Sequence, residues 1–214
     1  MSDLWSQRAQ AMRESPTHRE GPDLDLVVEL CEPGPGVTAL DVATGGGHVA
    51  RRLREAGCNV VSADPAPGMQ PDVICRAEDL PFADGSFDVV ACRIAAHHFE
   101  DVAVAVQEMA RVARNRMVVQ DNLFQSEQVE EAERLHDPSH VRCYSEDEWR
   151  SFFAAAGLEV DALEVMRRRL PLEPWLERAE TPPDDAARVR ELLADRTEDG
   201  LVESEAIVIR GRKG

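Results

Sequence analysis

Residues 40–48 read Leu40-Asp41-Val42-Ala43-Thr44-Gly45-Gly46-Gly47-His48. The apolar run from Val37 to Val42 predicts a buried strand, and the glycines predict a turn that opens a helix over 47–56, closed by Gly57. Glycine at such a turn lets the backbone come close to a ligand and starts a helix beside it. That arrangement usually receives phosphate, yet Asp41 would repel one. The stretch therefore calls for an α/β fold and for a ligand that tolerates a carboxylate.

Outward from this stretch, strand and helix patterns alternate. Helices are predicted over 2–14 and 23–31, ahead of the Pro/Gly break at 32–36. Strands follow at 58–63, ending at Asp64, then at 72–75 and 87–92. Val102, Ala105, Val106, Met109 and Ala113 recur at helical spacing, and Met117-Val118-Val119 reads as a fifth strand. Ser145 with Glu148 forms a capping box for a helix that Gly157 ends. Two more strands are expected near 158–169 and 203–210, separated by a polar helical insert containing Pro171, Pro174, Pro182 and Pro183. Such alternation predicts a doubly wound, mostly parallel sheet with helices on both faces. Ligands of these folds bind beyond the carboxyl ends of the strands. The chemistry-bearing residues do sit there: 41–47, Asp64, 76–79 and 93–98.

Composition narrows the function. Forty-one acids against 24 bases give a net charge of −17, which makes nucleic acid a poor substrate. Lys213 is the one lysine. No apolar run approaches the roughly 20 residues of a membrane span, and Met1 to Trp5 offer no basic region leading into an apolar stretch. A cytoplasmic protein is expected, as a monomer or homodimer. Cys31, Cys58, Cys75, Cys92 and Cys143 are odd in number and contain no C-x-x-C pair, so neither a disulfide framework nor a metal centre is expected.

Three ligands compete for the glycine loop. A P-loop nucleotide site is excluded because no G-K-[ST] follows the glycines. A nicotinamide dinucleotide fits the spacing only with Ala50 as the last small residue, and Asp41 opposes its pyrophosphate. S-adenosylmethionine has an ammonium group, a ribose and an adenine but no phosphate. Asp41 would hold its amino end, directly or through water, and Asp64 would accept hydrogen bonds from the ribose hydroxyls.

At this point the chain resembles the class I S-adenosylmethionine-dependent methyltransferases, most of all the small-molecule branch that includes the ubiquinone- and menaquinone-biosynthesis enzymes, which implies methyl transfer to a small-molecule acceptor. The resemblance is carried by residues 40–47, Asp64, residues 77–82 and 84–88, His97 to Asp101 and, more weakly, 145–157. It covers roughly residues 36–160 and implies a Rossmann-like, seven-stranded sheet whose last strand is antiparallel. The whole chain, 1–214, then forms one domain: a helical lid over 1–35, a cofactor core over 36–160, and the last two strands with their insert over 161–214. The implied cofactor residues are Asp41, Ala43, Thr44, Gly45, Gly47, Asp64, Pro65, Met69, Ala77, Glu78 and Arg93. His97 and His98 follow the fourth strand, where relatives place residues beside the methionine part of the cofactor, so either is a candidate general base. Two positions depart from the family pattern. Arg76 stands where relatives place the acid that accepts from adenine. The turn before the fifth strand is short, with Asn115 expected in the left-handed conformation. His140, Arg142 and Tyr144 are candidates to face the acceptor, Ser15, His18 and Gly21 to form a lid, and Arg167 to Arg169 to protect a sheet edge. A fold that binds the cofactor without catalysing transfer is the alternative from another class.

Overall fold

The computed structural model of the chain describes residues 2–214, apart from the side chains of residues 2–4, 16 and 17. Helices α1 (Ser2–Glu14), α2 (Pro16–Arg19) and α3 (Pro22–Leu30) precede the sheet. The sheet and its crossovers follow as β1 (Thr38–Val42), α4 (His48–Glu55), β2 (Asn59–Asp64), β3 (Val73–Ile74), β4 (Phe87–Arg93), α5 (Val102–Val112) and β5 (Ala113–Asn122). Then come α6 (Glu127–His136), α7 (Glu146–Ala155), β6 (Leu158–Pro171), α8 (Leu172–Arg178), α9 (Pro183–Leu192), β7 (Thr197–Glu198) and β8 (Leu201–Lys213).

The strand order is β3-β2-β1-β4-β5-β8-β6. Strands β1 to β5 pair in parallel, and β8 runs antiparallel to both β5 and β6. This is the expected sheet with its last strand reversed, plus a two-residue β7 that pairs with β8. The period-two alternation decides which helices cover which face. Ala39, Val89, Ala91, Val118 and Val208 pack with Leu24, Val27, Val49 and Leu53 of α3 and α4. Leu40, Val90, Cys92, Met117, Val119 and Ile207 pack with Val106 and Met109 of α5 and Trp149 and Phe153 of α7. The insert buries its own small core: Leu172 and Leu176 meet Ala186, Val189 and Leu192, and Ala132 of α6 joins them. The α7 capping box is present in full, and all five cysteines are free.

Asn115 corrects one expectation. It lies inside β5, which follows α5 directly, and it is not left-handed. A register shift between Phe87 and Val89 accommodates the short connection instead. Among the left-handed non-glycine residues are Ala43 and Ile94, both at φ 52°, immediately after the carboxyl ends of β1 and β4. A β-branched residue in that region is strained. Strand order reverses between β1 and β4, so the strain sits at the switch point where ligands enter.

Candidate active site

A cavity of about 610 Å³ opens over this switch point. Its floor is built from residues that follow β1, β2 and β4: Ala43, Gly45, Asp64, Pro65, Ile94 and Ala95. The Asp64 carboxylate accepts the Gly45 N–H at 3.0 Å on Oδ2 and the Ala66 N–H at 2.9 Å on Oδ1. Each oxygen keeps lone-pair capacity for a ligand hydroxyl. Burial raises its pKa, against the two backbone bonds.

Asp41 answers the question posed by the glycine loop. Its Oδ2 accepts the Thr44 hydroxyl at 2.5 Å and the Ala50 N–H at 3.0 Å. Gly47 caps α4 with φ 75°, so Ala50 is the third residue of the helix. The protein's own carboxylate thus occupies the anion site that a helix N-terminus offers, and a phosphate finds it filled. Burial pushes Asp41 up to about 6, opposed by its bonds to Thr44 and Ala50. Oδ1 has no hydrogen-bond partner among the described residues, and Asp41, Thr44 and Arg93 line a small side pocket that shares Ala43, Gly45 and Ile94 with the main cavity.

The two histidines lie in a single turn of 3₁₀ helix after β4, with ring centroids 4.0 Å apart, and their environments drive them in opposite directions. His97 donates its Nδ1–H to Asp121 Oδ1 at 2.5 Å, and its backbone N–H to Oδ2 at 2.7 Å. Burial would lower the imidazole, but the Asp121 charge and hydrogen bond outweigh it and the net shift is upward. With Nδ1 fixed as the donor, Nε2 carries the lone pair in the neutral ring. His98 donates to the Ser139 carbonyl at 3.1 Å, and burial followed by the charge of His97 pushes it down to about 3. Neighbouring groups whose pKa values are driven apart mark an acid–base site.

Beyond the histidines the cavity continues under α1, α6 and α8, between Trp5, Asn122, Glu133, His136, Arg168 and Trp175. Its roof is fastened by Arg8, which donates to Asp137 at 3.0 Å and to the Ala179 carbonyl at 3.1 Å.

Among curated relatives, the uncharacterized methyltransferase YcgJ of Bacillus subtilis is 32% identical over 202 aligned positions that cover 84% of this chain and 80% of the relative. The chain belongs to the class I S-adenosylmethionine-dependent methyltransferases. A methyltransferase-domain family model matches residues 40–118. A crystal structure described as a methyltransferase of Bacillus halodurans C-125 superimposes with a TM-score of 0.80 at 28% identity, over 90% of this chain and 99% of that one. A demethylmenaquinone methyltransferase of Beutenbergia cavernae is 38% identical over 97 residues, 40% of each chain.

Within this methyltransferase the structure brings some of the expected site residues to one cavity and places others elsewhere. Ala43, Gly45, Asp64, Pro65, Met69, Ala77 and Glu78 line the cavity, as do His97, His98 and His140. Gly47 stands behind the loop as the α4 cap. Arg93 is the last residue of β4 rather than one beyond it. It donates to Asp23 at 2.9 and 2.7 Å and to the His18 carbonyl at 2.9 Å, and so ties α2 and α3 to the sheet. Ser15, expected to belong to a lid, contacts His18, Oγ to Nδ1, at 2.8 Å, and His18 lines the cavity. Arg76 lies at the rim, paired with Glu100 at 2.8 Å and Glu78 at 3.3 Å. Arg142 and Tyr144 are corrected: Arg142 pairs with Glu148 at the surface, and Tyr144 packs against Trp149 and Phe152 in the core. The edge-strand arginines divide by strand alternation. Arg167 and Arg169 pair outward with Glu205 and Glu198, whereas Arg168 faces the cavity. Sequence patterns alone do not single out Asp121, Glu133 or Arg178. Asp121 does carry a usable signal, since it sits at the carboxyl end of a central strand as Asp41 and Asp64 do.

Proposed function

We propose that this methyltransferase binds S-adenosylmethionine over the β1–β4 crevice and methylates a small molecule seated under α6 and α8. Asp64 carries the reading. Both its oxygens are anchored by backbone N–H groups, and both retain acceptor capacity toward the cavity. A ribose diol presents two donors to such a carboxylate. Asp41 fits the same ligand, since it fills the helix N-terminus and leaves one oxygen without a partner beside the side pocket, suited to an ammonium group directly or through water. Met69 and Ala77 supply apolar cover for an adenine, and Glu78 on the same cavity wall is an acid that stands in for the one that Arg76 replaces. Arg93, held by Asp23, serves this site by fixing the helical lid rather than by meeting the cofactor's carboxylate.

When bound, S-adenosylmethionine supplies an electrophilic methyl group. The chain's own contribution is to exclude water, to align the acceptor in line with the methyl–sulfur bond, and to take a proton where the acceptor has one to lose. His97 is the base in this reading: Nε2 receives the proton of an acceptor hydroxyl, and Asp121 stabilises the imidazolium that results. His98, held neutral, shapes the loop between His97 and Trp5, to whose ring it lies edge-on at 4.8 Å. Calorimetry tests the cofactor assignment. Saturable heat with S-adenosylhomocysteine and none with NAD is expected; tight NAD binding without heat from S-adenosylhomocysteine would overturn it.

A further inference from the structure

Trp5, Asn122, Glu133, His136, Arg168 and Trp175, which build the acceptor end of the cavity, lie outside the family-matched residues 40–118. Most charges on the cavity wall already have partners. Arg8 is paired with Asp137, and Arg76 with Glu78 and Glu100. His18, His98 and His136 are each held near 3, first of all by burial, and so carry no charge at neutral pH. Asp64 is anchored by backbone N–H groups, which leaves three charged side chains at the acceptor end: Arg168, Arg178 and Glu133.

Arg168 donates from Nη2 to Asn122 Oδ1 at 2.6 Å, while its Nε is buried with no partner among the described residues. Among the described residues Arg178 has neither an ion pair nor a hydrogen bond, and burial lowers its pKa. Glu133 is likewise without a hydrogen bond or ion pair among the described residues, and burial raises its pKa. Unpaired guanidinium groups on a cavity wall are costly. They are out of place in a chain with 41 acids, where Arg167 and Arg169, on either side of Arg168, each hold a carboxylate. Guanidinium donors fit the planar or tetrahedral oxygens of carboxylate and phosphate. Trp5 and Trp175 add flat apolar walls to the same space.

We propose that the methyl acceptor is an anion, a small molecule whose carboxylate or phosphate is held by Arg168 and Arg178 while its reacting group meets His97. The proposal rests on the methyltransferase reading of the cavity and assigns the substrate class. Glu133 would then tune the site, because its charge competes with the ligand's anion for the same two arginines.

The test is calorimetric titration of the protein with benzoate, phenyl phosphate and uncharged benzamide, with and without saturating S-adenosylhomocysteine. One anion should bind at least about tenfold more tightly than benzamide, and which anion wins separates carboxylate from phosphate. Arg168→Gln and Arg178→Gln should each weaken that anion about tenfold or more. Glu133→Gln should strengthen it, and S-adenosylhomocysteine affinity should stay unchanged in all three variants. Equal binding of benzamide, no saturable binding of either anion, or anion affinity indifferent to both arginines would overturn the proposal. Failure of the unaltered protein to bind S-adenosylhomocysteine would instead strike the cofactor reading, and the titration without it still reads the anion preference.

Discussion

Replacing Asp121 with asparagine tests the acid–base pair at its buried end. Asp121 is 1% exposed and accepts three N–H groups, from His97 Nδ1, from the His97 backbone and from Asn122 at 2.9 Å. An amide keeps one acceptor oxygen and turns the other into a donor, so at least one of these N–H groups loses its acceptor. An unsatisfied buried donor costs ~1–3 kcal/mol. In a chain of this size that lowers the melting temperature by about 2–4 °C per kcal/mol. The pH dependence has a definite sign. The folded pKa of His97 is raised, so its pairing contributes fully below the unfolded value near 6.5 and is lost as pH rises through the folded value. Asp121 is depressed, by the His97 charge and hydrogen bonds acting against burial, so its contribution is present above the unfolded value and is lost as pH falls through the folded value. Without the carboxylate, burial is opposed chiefly by the smaller effects of the Glu133 and Asp137 charges, and the imidazole titrates at lower pH. NMR of the imidazole C–H resonances, assigned by single histidine substitutions, follows this directly and needs no acceptor. Once an acceptor is in hand, the acid limb of the rate should move the same way, with a loss of ~10² or more. A His97 titration that stays where it was in Asp121→Asn would refute the pair.

Asp64→Ala should weaken S-adenosylhomocysteine binding roughly ten- to hundredfold while the fold survives, read by calorimetry alongside thermal melting. His98→Gln should leave the acid limb of the pH–rate profile in place, because His98 is neutral well below the range where His97 titrates. Arg93→Met leaves Asp23 buried and unpaired and should cost ~3–5 kcal/mol in denaturant unfolding, most of it recovered by adding Asp23→Leu. Ser145→Ala removes the α7 cap and should cost about 1 kcal/mol by the same assay.

Legibility in the sequence follows the locality of the signal. Val37 to Gly57 and Cys58 to Asp64 are readable because apolar run, glycine turn and terminal acid lie in one stretch. The rule that ligands sit at strand ends then locates Asp41, Asp64 and His97. Asp121 escapes because the apolar run of the fifth strand ends at Val119, whereas Gln120 to Asn122 extend it by pairing with β8, a partner about 85 residues away. The acceptor end is least readable. Helix α6 is polar, and nothing local shows that Glu133 turns into a cavity whose far wall comes from β6 and α8. Arg168 is hidden in a run of three arginines, where only the pleat of β6 decides which one points inward. Arg93 stands in the right place for a ligand contact, but its partner Asp23 is 70 residues away. Pairings across the fold decide these roles, and spacing within one segment does not contain them.

The central claim is that the carboxylate at the end of β2 receives a ribose diol. A crystal structure of the protein with S-adenosylhomocysteine tests it most directly. Both ribose hydroxyls should lie within hydrogen-bonding distance of the Asp64 carboxylate, with the sulfur turned toward His97. Ligand density that leaves Asp64 bound only to Gly45 and Ala66, or that places the ribose elsewhere in the cavity, would contradict it.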